Sequence, residues 1–230
     1  MALIEYLASH VLAFILLAGL LGLIVGSFLN VVIHRLPIMM ERAWLRQSRE
    51  MLDPDAEQAA EPTFNIILPH SHCPHCNTEI KAWQNLPIIS YLLLKGRCGH
   101  CREKISLRYP AVEMLTAVLS AVVAWHFGFG WEAGAMLVLT WALISLSLID
   151  ADTQLLPDAI VLPMLWLGLI ANSFTLFTDL QTAFWGAVAG YLSLWVVFWA
   201  FKLATGKEGM GYGDFKLLAM LGAWGGWQIL

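Results

Sequence analysis

The chain has 230 residues, 59% of them hydrophobic and 13% charged, with eleven tryptophans and a mean hydropathy of +0.67. That is more apolar surface than a water-soluble domain can bury, so the composition excludes a soluble protein and points to the bilayer as solvent. A formal net charge of −4 and a pI near 5.9 leave no surplus of Lys and Arg for a nucleic-acid partner.

Uncharged runs of bilayer-spanning length cover residues 11–33, 114–131, 133–149, 159–178 and 180–201, and each can cross as a helix. The first lacks a basic segment ahead of it and is followed by His34, Arg35, Leu36 and Pro37 where a signal would carry a small-residue cleavage site, so it reads as a retained anchor. Residues 34–109 form an inserted loop domain rich in Pro, Cys, His and charge. Its first part, "MERAWLRQSREMLDPDAEQAAEP", reads as a solvated amphipathic helix followed by an acidic linker around Asp53, Asp55, Glu57 and Glu61. Residues 110–230 are helix hairpins. Two small-xxx-small pairs, Gly22/Gly26 and Gly186/Gly190, let neighbouring helices approach closely. A sixth apolar run, 217–230, is still apolar where the sequence stops and is short for about 30 Å of hydrocarbon, so the chain is expected to be cut within its hydrophobic region. The expected fold is an all-α polytopic membrane protein with at least six transmembrane helices: an anchor at 1–33, a zinc-ribbon-like loop domain at 34–109 and a helical core at 110–230.

Ten of the thirteen Lys and Arg residues lie between Arg35 and Arg108, and the others are Lys202, Lys207 and Lys216. The positive-inside rule therefore puts the inserted domain in the cytoplasm. Strict alternation of the spans then sends the loops at 150–158 and 202–216 to the same side.

All four cysteines belong to two C-x-x-C pairs, "CPHC" at Cys73 and Cys76 and "CGHC" at Cys98 and Cys101, 21 residues apart. Two such knuckles bring four thiolates to one tetrahedral point, which suits Zn²⁺. A pair of disulfides would need an oxidising compartment, against the cytoplasmic placement. His70, His72, His75 and His100 crowd the same knuckles, but four thiolates already close the shell, leaving no open position for water. The zinc is expected to be structural.

Carboxylates near a bilayer are costly and are functional candidates by default. Asp150, Asp152 and Asp158 lie in "LIDADTQLLPD" and Asp214 in "GYGDFK". Two crossings separate Asp150 from Asp214, an even number, so both end near one face. Two aspartates at matched depth can share a proton, one activating a water while the other polarises a carbonyl, which is acid/base peptide hydrolysis. Asp150 ends the third span, whereas Asp152 would point about 200° away on a continuing helix, so Asp150 is the better inward-facing partner. Asp158 follows Pro157 and suits a helix N-terminus. Gly211 and Gly213 give a loop ahead of Asp214 that lets a substrate backbone approach and lets the aspartate swing, with Lys216 just after it. A nucleotide-binding reading of the glycines fails because a membrane helix, not a strand, precedes them. Glu113, in "RYPAVE", needs a partner at the interface, for which Arg108 is the candidate.

Taken in order, "GSFLNVVIHRLP", "CPHC…CGHC", "ISLRYPAVE", "LIDADTQLLPD" and "GYGDFK" resemble the bacterial type IV prepilin leader peptidases, the GxGD aspartic proteases of type IV pilus and type II secretion systems. The resemblance covers the chain from about Leu20 to its last residue. It implies catalytic aspartates at Asp150 and Asp214, an inner-membrane location with the site on the cytoplasmic side, and cleavage of a short basic leader from prepilins and pseudopilins after a glycine. It also implies methylation of the new N-terminal amine, commonly of phenylalanine, with S-adenosylmethionine as donor. Relatives usually continue with further hydrophobic helices beyond residue 230, and some active relatives lack the tetracysteine motif, which again implies a structural zinc. A solute transporter is the competing class. Against it, no charge falls at mid-membrane and no inverted repeat is evident.

Overall fold

The structure is a computed structural model and describes residues 2–53 and 63–230; the linker acids Asp55, Glu57 and Glu61 lie outside the described residues. Among the described residues the chain is helical, with α1 (Ala2–Ser9), α2 (Val11–Leu52), α3 (Ile89–Leu93), α4 (Arg108–Phe127), α5 (Trp131–Thr153), α6 (Asp158–Ser173), α7 (Leu180–Thr205) and α8 (Tyr212–Gly225). It divides into two compact units, Met1–Phe129 and Gly130–Leu230. Four helices, α2, α4, α5 and α7, are long and apolar enough to cross a membrane. The other two apolar runs form shorter helices, with 16 residues in α6 and 14 in α8, about 24 and 21 Å long at 1.5 Å per residue.

In the first unit α2 packs along α4 through a seam of small residues. A Cβ on Gly22 would lie 2.8 Å from Ala117 Cα and 2.6 Å from Ser120 Oγ, and one on Gly26 would lie 2.7 Å from Glu113 Cα. The backbones are therefore close enough that only glycine fits, and the Gly22/Gly26 expectation holds. Thr116 and Ser120, both buried in this seam, return their hydroxyls to Val112 O and Thr116 O, so no polar group is stranded in the contact. The opposite face of α2 presents Leu12, Leu16, Leu20, Ile24 and Phe28 to the surroundings, as a lipid-facing stripe should.

The anchor and the amphipathic helix, expected as separate elements, form one helix of 42 residues. Pro37 lies inside it and removes one backbone hydrogen bond. The residues that follow are good helix formers, and Arg35 ties the region down from the side. That guanidinium is buried and donates to Asn65 O at 2.9 Å, Ile66 O at 3.4 Å and Pro69 O at 2.6 Å. Ser27 Oγ donates to Asn85 O and Asn30 Nδ2 to Tyr109 O. The polar residues of the "GSFLN" stretch thus tie the inserted domain to α2 at Asn85 and at its C-terminal end, Tyr109. Glu113 Oε2 accepts from the Ile88 N–H at 2.8 Å and secures the segment ahead of α3.

In the second unit α7 and α8 touch backbone to backbone: a Cβ on Gly186 would meet Gly222 O, and one on Gly190 would lie 2.6 Å from Leu218 O. Gly168 of α6 receives the Trp224 indole, whose Nε1 donates to Met164 O at 2.8 Å. Buried Asn172, near the C-terminus of α6, donates to Ala223 O and Trp224 O at 2.9 Å and accepts from Phe177 N and Thr178 N at 3.1 Å. All four of its hydrogen-bonding positions are used, so it locks the end of α8 to α6 and to the turn that follows α6. Asp179 caps α7 by accepting from Thr182 N at 2.9 Å, and this contact with Thr182 holds its carboxyl below the ordinary carboxylate range.

Candidate active site and metal centre

The two C-x-x-C pairs fold alike. Cys73 N donates to Thr78 O and Asn77 N to Cys73 O; Cys98 N donates to Glu103 O and Arg102 N to Cys98 O. Asn77 (φ 54°) and Arg102 (φ 63°) occupy the same left-handed position just after the second cysteine of each pair, and each turn closes on one antiparallel bridge, His72 with Glu79 and Arg97 with Lys104. The four Sγ atoms lie within 4.8 Å of one another, and Cys73 Sγ is 3.8 Å from Cys101 Sγ. A tetrahedron of thiolates about 2.3 Å from zinc has an edge of about 3.8 Å. All four thiols are free, so the cluster is not a disulfide pair.

Electrostatics point the same way. The Thr78 hydroxyl and N–H pull the Cys76 thiol down to about 6, and the His100 N–H lowers that of Cys98. The Glu103 N–H favours a Cys101 thiolate, but burial and the neighbouring Cys98, Cys76 and Cys73 outweigh it and push Cys101 up to about 12. Four thiolates at this spacing ionise together only with a cation among them. The donor set fits zinc, and Cys73, Cys76, Cys98 and Cys101 would hold it.

The aspartates belong to the second unit. Asp150 lies in the last turn of α5, where its carbonyl accepts from Gln154 N at 2.8 Å, and Gln154 (φ 54°) ends the helix in the left-handed conformation. Asp150 and Asp152 are both exposed, while the preceding Ile149 is buried. The inward-facing position expected for Asp150 is thus not what the structure has: the core stops at Ile149, and Asp150 stands exposed at the rim.

Asp214 is not on a loop. Helix α8 begins at Tyr212, five residues ahead of the apolar run read from the sequence, so the glycine motif is the helix start and Asp214 sits in its first turn. Its Oδ2 accepts from Gly211 N at 3.2 Å. The half-buried carboxylate satisfies one of the helix's unpaired N–H groups, a fixed position where a swinging one was expected. Gly213 acts through contact, not flexibility: a Cβ there would lie 2.9 Å from Leu156 Cβ, so glycine lets α8 lie against the loop between α5 and α6. Gly211 has room, its nearest neighbours being 3.7 Å or more away.

A second tie binds the same place. Lys216 Nζ donates to both carboxylate oxygens of Asp158, at 2.8 and 2.7 Å, joining the second turn of α8 to the first turn of α6. The helix-start reading of Asp158 holds, and Lys216 has a partner that the sequence did not announce. Two residues apart on α8, Gly213 and Lys216's neighbour Phe215 face different surroundings: Phe215 is buried against Tyr191, Phe198 and Tyr212, with ring centroids 5.9, 5.5 and 5.5 Å away. The loop after α5, the N-terminus of α6 and the N-terminus of α8 therefore meet at one end of this unit, with Asp158 and Asp214 on the joined helix starts and Asp150 and Asp152 in the last turn of α5 ahead of the loop.

Residues 20–127 match the bacterial peptidase A24 N-terminal domain, and residues 137–230 match the type IV leader peptidase family. Over 227 residues the chain is 66% identical to the prepilin leader peptidase/N-methyltransferase of Stutzerimonas stutzeri, covering 99% of this chain and 78% of that protein. It is 66% identical over 232 residues to the protein of the same name from Pseudomonas aeruginosa, covering 100% and 79%, and 56% identical over 214 residues to that from Neisseria gonorrhoeae, covering 93% and 75%. The chain belongs to the type IV leader peptidase family. No solved structure matches it. In this leader peptidase the metal centre and the aspartates occupy different compact units, and each is built by contacts within its own unit.

Sequence reasoning missed Ser27, Asn30 and Arg35 as clamps. A polar residue on an otherwise apolar helix is the available signal, and it does not name the carbonyl that will be bound.

Proposed function

We propose that the chain is a membrane aspartic endopeptidase that removes the basic leader from type IV prepilins and type II secretion pseudopilins at the cytoplasmic face of the bacterial inner membrane. In this reading it then methylates the new N-terminal amine. The observation that carries the proposal is that the loop following Asp150 packs against the helix start that carries Asp214, through Gly213 on Leu156, with Lys216 on Asp158 fastening the neighbouring helix start.

In this reading Asp214, at the positive end of α8 and accepting the Gly211 N–H, is the carboxylate that activates water; the helix end supports its charged form. In this reading Asp150, in the last turn of α5, is the partner carboxyl that donates a hydrogen bond to the scissile carbonyl. Water adds to the carbonyl carbon with its proton passing to Asp214; the C–N bond then breaks as the leaving nitrogen takes that proton back from Asp214, freeing the amine and restoring the carboxylate. The basic leader is drawn to a rim carrying Asp150 and Asp152. Methyl transfer to that amine draws on S-adenosylmethionine. The zinc contributes folding free energy to the inserted domain and takes no part in hydrolysis.

The test incubates purified protein with a prepilin peptide, with and without S-adenosylmethionine, and reads product masses. Asp150→Asn and Asp214→Asn are each expected to lower cleavage by at least about 10³-fold at unchanged expression and membrane insertion. Full cleavage by either variant ends the proposal.

A further inference from the structure

The second zinc knuckle carries an electrostatic arrangement that the first does not. In both, the bridged pair is of the non-hydrogen-bonded kind: Ser71 O and Thr78 O accept from Ile80 N and Cys73 N around His72 and Glu79, and Gly96 O and Glu103 O accept from Ile105 N and Cys98 N around Arg97 and Lys104. Side chains of such a pair stand on one face with Cα atoms about 4.5 Å apart. The first knuckle fills this position with a histidine and a carboxylate. The second fills it with two cations, and like charges directly opposite each other repel.

Lys95, two residues before Arg97, brings a third cation. Together with Tyr91, Gly96, Ser106 and Leu107 these residues line a cavity of about 540 Å³. None of Lys95, Arg97 or Lys104 forms an ion pair among the described residues. Gly96 (φ 67°) is held open against Tyr91, whose Oη would lie 2.7 Å from an added Cβ.

We propose that this pocket binds the phosphate headgroup of an anionic phospholipid. The three unpaired cations supply the charge match, and position supplies the source of the anion. Leu107 of the pocket wall is followed at once by Arg108, the first residue of the membrane-crossing helix α4, so the cavity lies at headgroup level. Around it Leu92, Leu93 and Leu107 are 68, 69 and 71% exposed, apolar side chains suited to the acyl boundary beneath a bound headgroup. The pocket residues all belong to the first compact unit, and the assignment rests only on α4 crossing the bilayer.

Lysine acetylation of the zinc-loaded full chain, read by mass spectrometry, tests it. The protein is placed in nanodiscs of phosphatidylcholine alone or doped with phosphatidylglycerol. Lys95 and Lys104 should react about fivefold more slowly with the anionic lipid, while Lys81 and Lys207 change little, and Arg97→Gln should remove most of that protection. Equal slowing of all four lysines would reduce the effect to general surface potential and overturn the site, as would no slowing at all. Protection in neutral nanodiscs by glycerol phosphate or by S-adenosylmethionine would overturn the lipid assignment in favour of a soluble anion. Should Arg97→Gln lose zinc, the comparison of lipids and lysines in the unaltered protein decides.

Discussion

Gly213→Ala isolates what the second glycine of the motif does. The added Cβ would sit 2.9 Å from Leu156 Cβ and 3.3 Å from Leu156 Cδ1, whereas ordinary carbon contacts are about 3.5–4.0 Å. Relief therefore requires α8 and the loop between α5 and α6 to part by close to 1 Å, which shifts Asp214, on α8, relative to the loop that directly follows the α5 turn of Asp150. A misplacement of about 1 Å in a catalytic pair costs on the order of 10²-fold in rate, equivalent to about 2.7 kcal/mol of transition-state stabilisation. Gly211→Ala is the control: its Cβ would meet nothing closer than 3.7 Å, and its φ of −81° suits alanine, so kcat should fall by no more than a few fold. Both variants would be assayed for prepilin-peptide cleavage by mass spectrometry, with thermal unfolding as a check on folding. Leu156→Ala in the Gly213→Ala background removes the Cδ1 contact and leaves the Cβ one, so recovery should be partial. Equal losses from Gly211→Ala and Gly213→Ala would refute the contact argument and return the glycines to a flexibility role.

Asn172→Ala empties a position where four hydrogen bonds converge in a buried site; at about 0.6–1 kcal/mol each the loss should be about 2–4 kcal/mol, seen as a lower midpoint in denaturant, and a loss near zero would show that backbone groups re-pair locally. Lys216→Met should cost under about 1 kcal/mol of stability, because the bridge to Asp158 is 32 and 51% exposed, yet it should slow cleavage by loosening α8 against α6; unchanged kcat would count against a positioning role. Cys73→Ser or chelation should release the metal, measured by elemental analysis, and unfold the inserted domain, measured by protease sensitivity, with retained resistance counting against a structural zinc. Asp179 has a depressed carboxyl pKa when folded, so its stabilisation is complete above the unfolded value of about 3.9 and fades as pH falls through the folded one. The Tm difference between the unaltered protein and Asp179→Ala should therefore shrink between pH 7 and pH 3.

Much of this protein is legible without coordinates, because the bilayer and the metal impose rules local in sequence. A crossing helix needs an uninterrupted apolar run, so 11–33, 114–131, 133–149 and 180–201 announce themselves, and all four lie largely within long helices. Tetrahedral thiolate binding needs paired cysteines, so the gathering of Cys73, Cys76, Cys98 and Cys101 at one point could be read from spacing alone. Small residues spaced four apart name a close helix contact, as at Gly22 and Gly26, but not the helix on the other side.

Tertiary structure decided the matters that depend on which backbone group or side chain arrives opposite. Apolar periodicity is silent on where a helix begins when glycines precede it, so the start of α8 at Tyr212, and with it the fixed place of Asp214, came from the contact of Gly213 with Leu156. Pairings such as Lys216 with Asp158, or Arg35 with three loop carbonyls, join residues about 58 and 30 positions apart. One sequence offers many such partners of suitable charge, and only the packed backbone brings a single one within hydrogen-bonding distance.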